Sequence, residues 1–173
     1  VGNLLDFARE SASTIKTLDL EKLLKDTIHL ADNQVRMSGI KIELQVTENL
    51  PPIHGDGKNL QQVLLNLILN AVDASPKCSK IQVMALPYDK SDHVAVKVVD
   101  YGQGIPNHIL PSIFDPFFTT KAKGKGTGLG LSVSQGIIAK HGGKILVSSE
   151  ENSGSIFTVV LPVTTFPRSF HGF

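Results

Sequence analysis

The sequence predicts an α/β protein, a two-layer α/β sandwich, on three observations. Stretches of helical periodicity are interleaved with stretches of twofold alternation. The strands mostly follow one another in pairs, as antiparallel neighbours do. One helical stretch is apolar nearly all round, so it should be buried. The 173 residues suffice for one domain with its own core, since folding at this size buries roughly 70% of the unfolded surface. Apolar residues make up 41% and charged residues 19%, ordinary for a globular chain. Lys and Arg number 17 against 16 Asp and Glu, and the formal charge of +1 excludes nucleic-acid binding through bulk charge. The single cysteine, Cys78, excludes a disulfide framework and any multi-cysteine zinc site. No apolar run approaches the roughly 18 residues of a membrane span. No signal-peptide layout is seen either, so a cytoplasmic compartment is expected, with no membrane contact by this segment.

Taken in order, Asn3 to Ala12 carries Leu4, Leu5, Phe7 and Ala8 at helical spacing and reads as the tail of a longer helix. A new unit starts at Thr17-Leu18. Asp19 is a predicted N-cap, Leu20, Leu23, Leu24, Ile28, Ala31 and Val35 form the apolar stripe, and Gly39 ends the helix in a left-handed cap. Lys41 to Thr47 alternates as a strand with Ile42, Leu44 and Val46 on one side. Pro51-Pro52 and Gly55-Asp56-Gly57 read as a loop, with Asp56 capping the next helix, Lys58 to Ala74. That is the nearly all-apolar helix, yet Asn66, Asn70 and Asp73 recur at i, i+4 and i+7 as one polar stripe. Strands are expected at Lys80 to Leu86 and His93 to Asp100, connected through Pro87 to Lys90. The chain is then irregular and glycine-rich until a helix from about Leu129 to His141. A hairpin of Lys144 to Ser149 and Ile156 to Leu161 follows, turning at Asn152-Ser153-Gly154. The expected organisation is 1–17 as the end of a preceding helical region, 18–163 as the domain, and 164–173 as a tail.

Three elements carry chemistry. An unpartnered buried amide costs about 1–3 kcal/mol, so Asn66 and Asn70 either bond a neighbouring loop backbone or floor a cavity for a polar ligand. An Asn carbonyl would suit a magnesium ion, which takes few protein oxygens and completes its shell with phosphates and waters. Asp100-Tyr101-Gly102-Gln103-Gly104 is either an ordinary turn or a carboxylate held at a strand end to accept from an amino group, with glycines that allow close approach. Glycines 124, 126, 128 and 130 expose a row of N–H donors just before a helix, and Lys121, Lys123 and Lys125 add local charge. Either this is a solvated lysine loop or it cradles phosphate; the helix directly behind it favours the latter.

Standard motifs are absent. There is no G-x-x-x-x-G-K-[ST], no G-x-G-x-x-G, no H-E-x-x-H, no G-x-S-x-G and no His/Cys cluster. The residues that are present resemble the N, G1 and G2 boxes of the catalytic ATP-binding domain of sensor histidine kinases, in the superfamily shared with gyrase B, Hsp90 and MutL. The matching stretches are QQVLLNLILNAVDA (Gln61 to Ala74), DYGQGIP (Asp100 to Pro106) and GKGTGLGLS (Gly124 to Ser132). IFDPFFTTK (Ile113 to Lys121) resembles the F box, and LLDFAR resembles the end of the dimerisation helix. The similarity covers about Asp19 to Pro162.

The resemblance implies a Bergerat-type ATP-binding fold, a mixed sheet covered by about three helices, with ATP and Mg2+ as cofactors. It implies that Asn70 coordinates the metal with Asn66 on the same face, and that Asp100 accepts from the adenine amino group with Gly102 and Gly104 shaping that pocket. Ile105 to Lys125 would form a lid over the nucleotide, with Phe114, Phe117 and Phe118 on its apolar side. Gly126, Thr127, Gly128, Leu129, Gly130 and Leu131 would run along the phosphates, with Lys121 or Lys125 neutralising the γ-phosphate. Asn66, Asn70 and Lys125 would form the catalytic set. Phosphoryl transfer would then proceed by positioning and electrostatics. Superfamily members that hydrolyse ATP carry a glutamate where this chain has Asn66, and an amide is no general base. The expected acceptor is therefore a histidine on the chain's own dimerisation domain, upstream of Val1, in a homodimeric parent. None of the six histidines here is followed by an acidic residue. A response regulator would be the indirect partner, and any membrane anchor would lie elsewhere in the parent. Some histidine kinases place a lysine at the position of Asp73, to which no role is assigned. The alternatives are a nucleotide-gated interaction module or an ATPase of the same superfamily.

Overall fold

The structure, a computed structural model, describes residues 14–89, 92–121 and 126–163. The expected helix at Asn3 to Ala12 and the tail from residue 164 lie outside the described residues. Among the described residues seven strands and three α-helices follow in the order β1 (Ile15–Leu18), α1 (Leu20–Ser38), β2 (Lys41–Val46), β3 (Ile53–Asp56), α2 (Gly57–Ala74), β4 (Lys80–Tyr88), β5 (His93–Asp100), α3 (Gly130–Lys140), β6 (Lys144–Glu150) and β7 (Gly154–Pro162). A 3-10 turn, Leu110–Ser112, sits between β5 and α3.

The caps form as the residue types dictate. The Asp19 carboxylate accepts from the Lys22 N–H at 3.1 Å, and Gly39 closes α1 at φ 69°, its N–H donating to Arg36 O at 3.1 Å. Asp56 caps α2 by accepting from the N–H groups of Lys58 and Asn59 at 2.9 and 3.2 Å. Its own N–H donates to Nε2 of His141 at 3.0 Å, which ties the start of α2 to the end of α3.

Five strands form one sheet in the order β2-β4-β5-β7-β6, parallel between β2 and β4 and antiparallel elsewhere. The register places Val83 opposite Val98 and Val98 opposite Phe157, so one face presents Ile81, Val83, Val96, Val98, Phe157 and Val159 to the helices. α2 is the central helix: Leu60, Val63, Leu64, Leu67, Ile68, Ala71 and Val72 are all buried. Each large aliphatic buried this way contributes about 1.5–3 kcal/mol. The two-layer α/β architecture is therefore as the sequence predicts, and the mixed sheet is as the family resemblance implies.

Two differences stand out. β1 and β3 pair antiparallel, Ile15 opposite Asp56 and Leu18 opposite Ile53, where the sequence reads as a lead-in and a loop. β1 straddles the boundary expected between residues 17 and 18. β4 also runs on through Pro87 and Tyr88, opposite Val94 and His93. Proline is tolerated there because β2 stops at Val46, opposite Ala85, leaving that side of β4 an edge.

Candidate functional site

A cavity of about 600 Å3 opens between α2, the end of β5, the segment after it and the start of α3. The polar stripe of α2 forms its floor, with Asn66 and Asn70 among the lining residues. Among the described residues the two amides bond side chains: Asn66 Nδ2 donates to Ser134 Oγ on α3 at 3.1 Å, and Asn70 Oδ1 accepts from Lys121 Nζ at 3.3 Å.

Asp100 ends β5 inside the cavity, 4% exposed. Its Oδ1 accepts from the Gly102 N–H at 2.9 Å. Burial pushes its carboxyl above the ordinary carboxylate range, and backbone N–H groups of Gly102 and Ser155 act against that by bonding the ionised form. The chain leaves Asp100 through a space only glycine fits. A Cβ on Gly102 would collide with the carbonyl of Ala74, and one on Gly104, at φ +66°, with the carbonyl of Glu150. Gln103 fastens the turn on both sides, its N–H donating to Ala74 O at 3.2 Å and its carbonyl accepting from Asn152 N–H at 2.7 Å. The Ile105 N–H donates to Ser149 Oγ at 2.8 Å.

The opposite wall is apolar, built of Ile105, Ile109, Ile113 and Phe118, and the rim carries Thr127, Gly128, Gly130 and Leu131. α3 begins at Gly130 with no side-chain cap, so its first N–H groups are not used by a capping side chain. The arrangement offers an apolar slot with one buried carboxylate, then two amides and a helix N-terminus beside it. That suits a flat, amino-bearing group attached to an anion.

Of the residues expected from the sequence, Asn66, Asn70, Asp100, Gly104, Ile105, Thr127, Gly128, Gly130 and Leu131 line this cavity together. Gly102 lies beneath it, against Ala74 and Asp100. Gly126 packs by Thr119 and Lys121. Leu129 lines an adjoining hollow with Val133 and Ser134. Phe117 is 74% exposed and is not part of the cavity lining; its N–H donates to Gly128 O at 2.8 Å, while Phe114 and Phe118 pack on the core. Lys121 pairs with Asp73 at 2.6 Å. Lys125, like Lys123 and Gly124, lies outside the described residues. Sequence reasoning missed Ser155, Phe157, Glu151 and Asn152, which reach the cavity only because β7 pairs with β5. It also missed Ser134, the partner of Asn66, although a serine one turn into the α3 helix is a usable signal.

Asn70 fits the requirement for a cation ligand, because its amide oxygen already faces an ammonium group. Among the described residues no group of three or more His, Cys, Asp and Glu could hold a metal, so a cation here would draw most of its ligands from elsewhere. No helix among the described residues is long and apolar enough to cross a membrane.

Comparison with known proteins shows the family and the fold. A family described as histidine kinase-, DNA gyrase B- and HSP90-like ATPase matches residues 55–165. Sensor histidine kinase ZraS of Salmonella typhimurium is 40% identical over 163 residues, 94% of this chain and 34% of ZraS. Sporulation kinase E of Bacillus subtilis is 35% identical over 163 residues, 94% of this chain and 22% of that kinase. The chain thus spans about a third or less of these relatives. Among solved structures, the nucleotide-free catalytic domain of histidine kinase ThkA superposes with a TM-score of 0.76 at 35% identity, covering 87% of this chain and 97% of that one. Full-length ShkA in complex with AMPPNP gives 0.78 at 29% identity, covering 88% and 32%. ThkA in complex with the response regulator protein TrrA gives 0.75 at 29% identity, covering 92% and 45%. The chain therefore belongs to the histidine kinase-, DNA gyrase B- and HSP90-like ATPase family, and its fold is that of histidine kinase catalytic domains.

Proposed function

We propose that this chain is the catalytic ATP-binding part of a sensor histidine kinase. It would transfer the γ-phosphoryl group of ATP to a histidine on the dimerisation domain of its parent, for onward transfer to a response regulator. The observation that carries the reading is the convergence of Asp100, Asn66, Asn70 and the start of α3 on one cavity with an apolar wall.

In this reading Asp100, ionised and held by the Gly102 N–H, accepts from the exocyclic amino group of adenine, whose faces lie against the apolar wall. The triphosphate extends toward Gly128, Gly130 and the first N–H groups of α3, which stabilise its charge. Asn70 would hold Mg2+, which when bound neutralises and aligns the phosphates. The acceptor imidazole nitrogen forms a bond to the γ-phosphorus as the bond from that phosphorus to the β-phosphate oxygen breaks, and ADP leaves. Asn66 is engaged with Ser134 and offers no carboxylate to activate water, which favours transfer over hydrolysis.

The test is to mix the chain with a separately expressed helical hairpin, encoded upstream in the same gene, that bears a histidine followed by an acidic residue, and to supply γ-labelled ATP. Label should appear on the hairpin histidine and be lost with Asp100→Ala or Asn70→Ala. Steady release of free phosphate that depends on Asn66, with no labelled histidine, would assign the chain to the hydrolysing branch instead.

A further inference from the structure

Lys121 is held by two side chains of α2 at once. Its Nζ lies 2.6 Å from Asp73 Oδ2 and 3.3 Å from Asn70 Oδ1. Asn70 and Asp73 are three residues apart on one helix and so face the same side. The second oxygen of Asp73 is met by Gln34 Nε2 from α1 at 3.5 Å, a long contact that orients the carboxylate between α1 and Lys121.

The side chains of Lys121 and Asp73 are 37% and 42% exposed, and an ion pair that open to water contributes little to stability. Its consequence is positional. Lysine carries a point charge on a flexible four-carbon stem, and pairing with Asp73 selects the rotamers that bring the charge beside Asn70. Without that pairing, the Asp73 carboxylate would stand within one turn of Asn70, a cavity-lining residue, as an uncompensated negative charge that would repel an anionic ligand there.

We propose that Asp73 is a positioning residue: it keeps Lys121 beside Asn70, so that the ammonium meets the terminal phosphate of a bound nucleoside triphosphate. The proposal rests on the nucleotide reading above and deepens it.

Calorimetric titration of the 173-residue chain with ATP and with ADP, both in excess Mg2+, tests it on the wild type, Asp73→Asn, Asp73→Glu, Lys121→Ala and the Asp73→Asn/Lys121→Ala double variant. ADP lacks the phosphate that Lys121 would meet, so the ATP-to-ADP affinity ratio is the readout. Lys121→Ala should lower that ratio by about tenfold and Asp73→Asn by at least about threefold, the loss of a charge-assisted contact. The double variant should be no worse than Lys121→Ala, Asp73→Glu should restore the ratio, and ADP affinity should stay within about twofold throughout. A ratio unchanged in Asp73→Asn overturns the positioning role, and a raised ratio overturns it too, by assigning the carboxylate a purely repulsive effect. A wild type that binds ADP with an unaltered ratio across the variants sinks this proposal alone. A wild type that binds neither nucleotide sinks the nucleotide reading as well.

Discussion

Gly130 and Asn66 pack so closely that a β-carbon on Gly130 would strike the Asn66 side-chain oxygen. The first residue of α3 and the amide of α2 therefore define one another's position, and the cavity floor depends on the absence of a single methyl group.

A matched pair of substitutions in α3 follows from that contact. Gly136 lies in the same helix with nothing within 4 Å of an added β-carbon, so Gly136→Ala should stabilise the protein by about 0.5–1 kcal/mol through helix propensity. Gly130→Ala should gain no such benefit, because overpacking opposes it by about 1–3 kcal/mol. It should also weaken nucleotide binding as Asn66 is displaced. Urea denaturation should show Gly136→Ala stabilised and Gly130→Ala not, and nucleotide titration should show weaker binding for Gly130→Ala and unchanged binding for Gly136→Ala.

Asp100 gives stability and binding opposite pH dependences. Its folded-state pKa is raised by burial, so as pH rises from acid the unfolded chain loses this proton first and the group's contribution to stability falls. That loss runs through the window between the ordinary carboxylate value and the raised one. Across the same window the ionised form needed to accept from an amino group becomes populated, so nucleotide affinity should rise. Asp100→Asn should remove both trends. Thermal melts and ADP titrations from mildly acidic to neutral pH measure them side by side.

The cap of α2 should be separable from the site. Asp56→Ala removes the acceptor for two helix N–H groups and should cost about 1 kcal/mol, a fall in Tm of about 2–4 °C, with ADP affinity unchanged. A calorimetric scan with and without ADP checks both halves.

Much of this fold was legible because its signals are local. Asp19, Gly39 and Asp56 cap as their residue types require, and the stripe of α1 and the buried face of α2 are plain in the spacing of their leucines. The pairing of β1 with β3 was not legible. Four residues at each strand carry too little alternation, and the partners are separated by the whole of α1 and β2. The site divides the same way. Asn66, Asn70, Asp100 and the glycine row could be singled out, because burying amides or exposing backbone needs a reason. Ser155 and Asn152 are ordinary turn and strand residues until the register of β5 on β7 carries them to Asp100 and Gln103. The role of Asp73 was hidden likewise, since its partner Lys121 is brought to it only by the tertiary path of the chain.

The central claim is that Asp100 reads the amino group of adenine, and base discrimination tests it most directly. Titrate wild type and Asp100→Asn with Mg-ATP and Mg-GTP, which differ at that position by an amino group against a carbonyl. The account predicts that the wild type binds ATP at least about tenfold more tightly than GTP, since the carbonyl would face the carboxylate unpaired. Asp100→Asn should lose ATP affinity and most of the discrimination. Equal affinity of the wild type for both nucleotides, or discrimination untouched by the substitution, would contradict it.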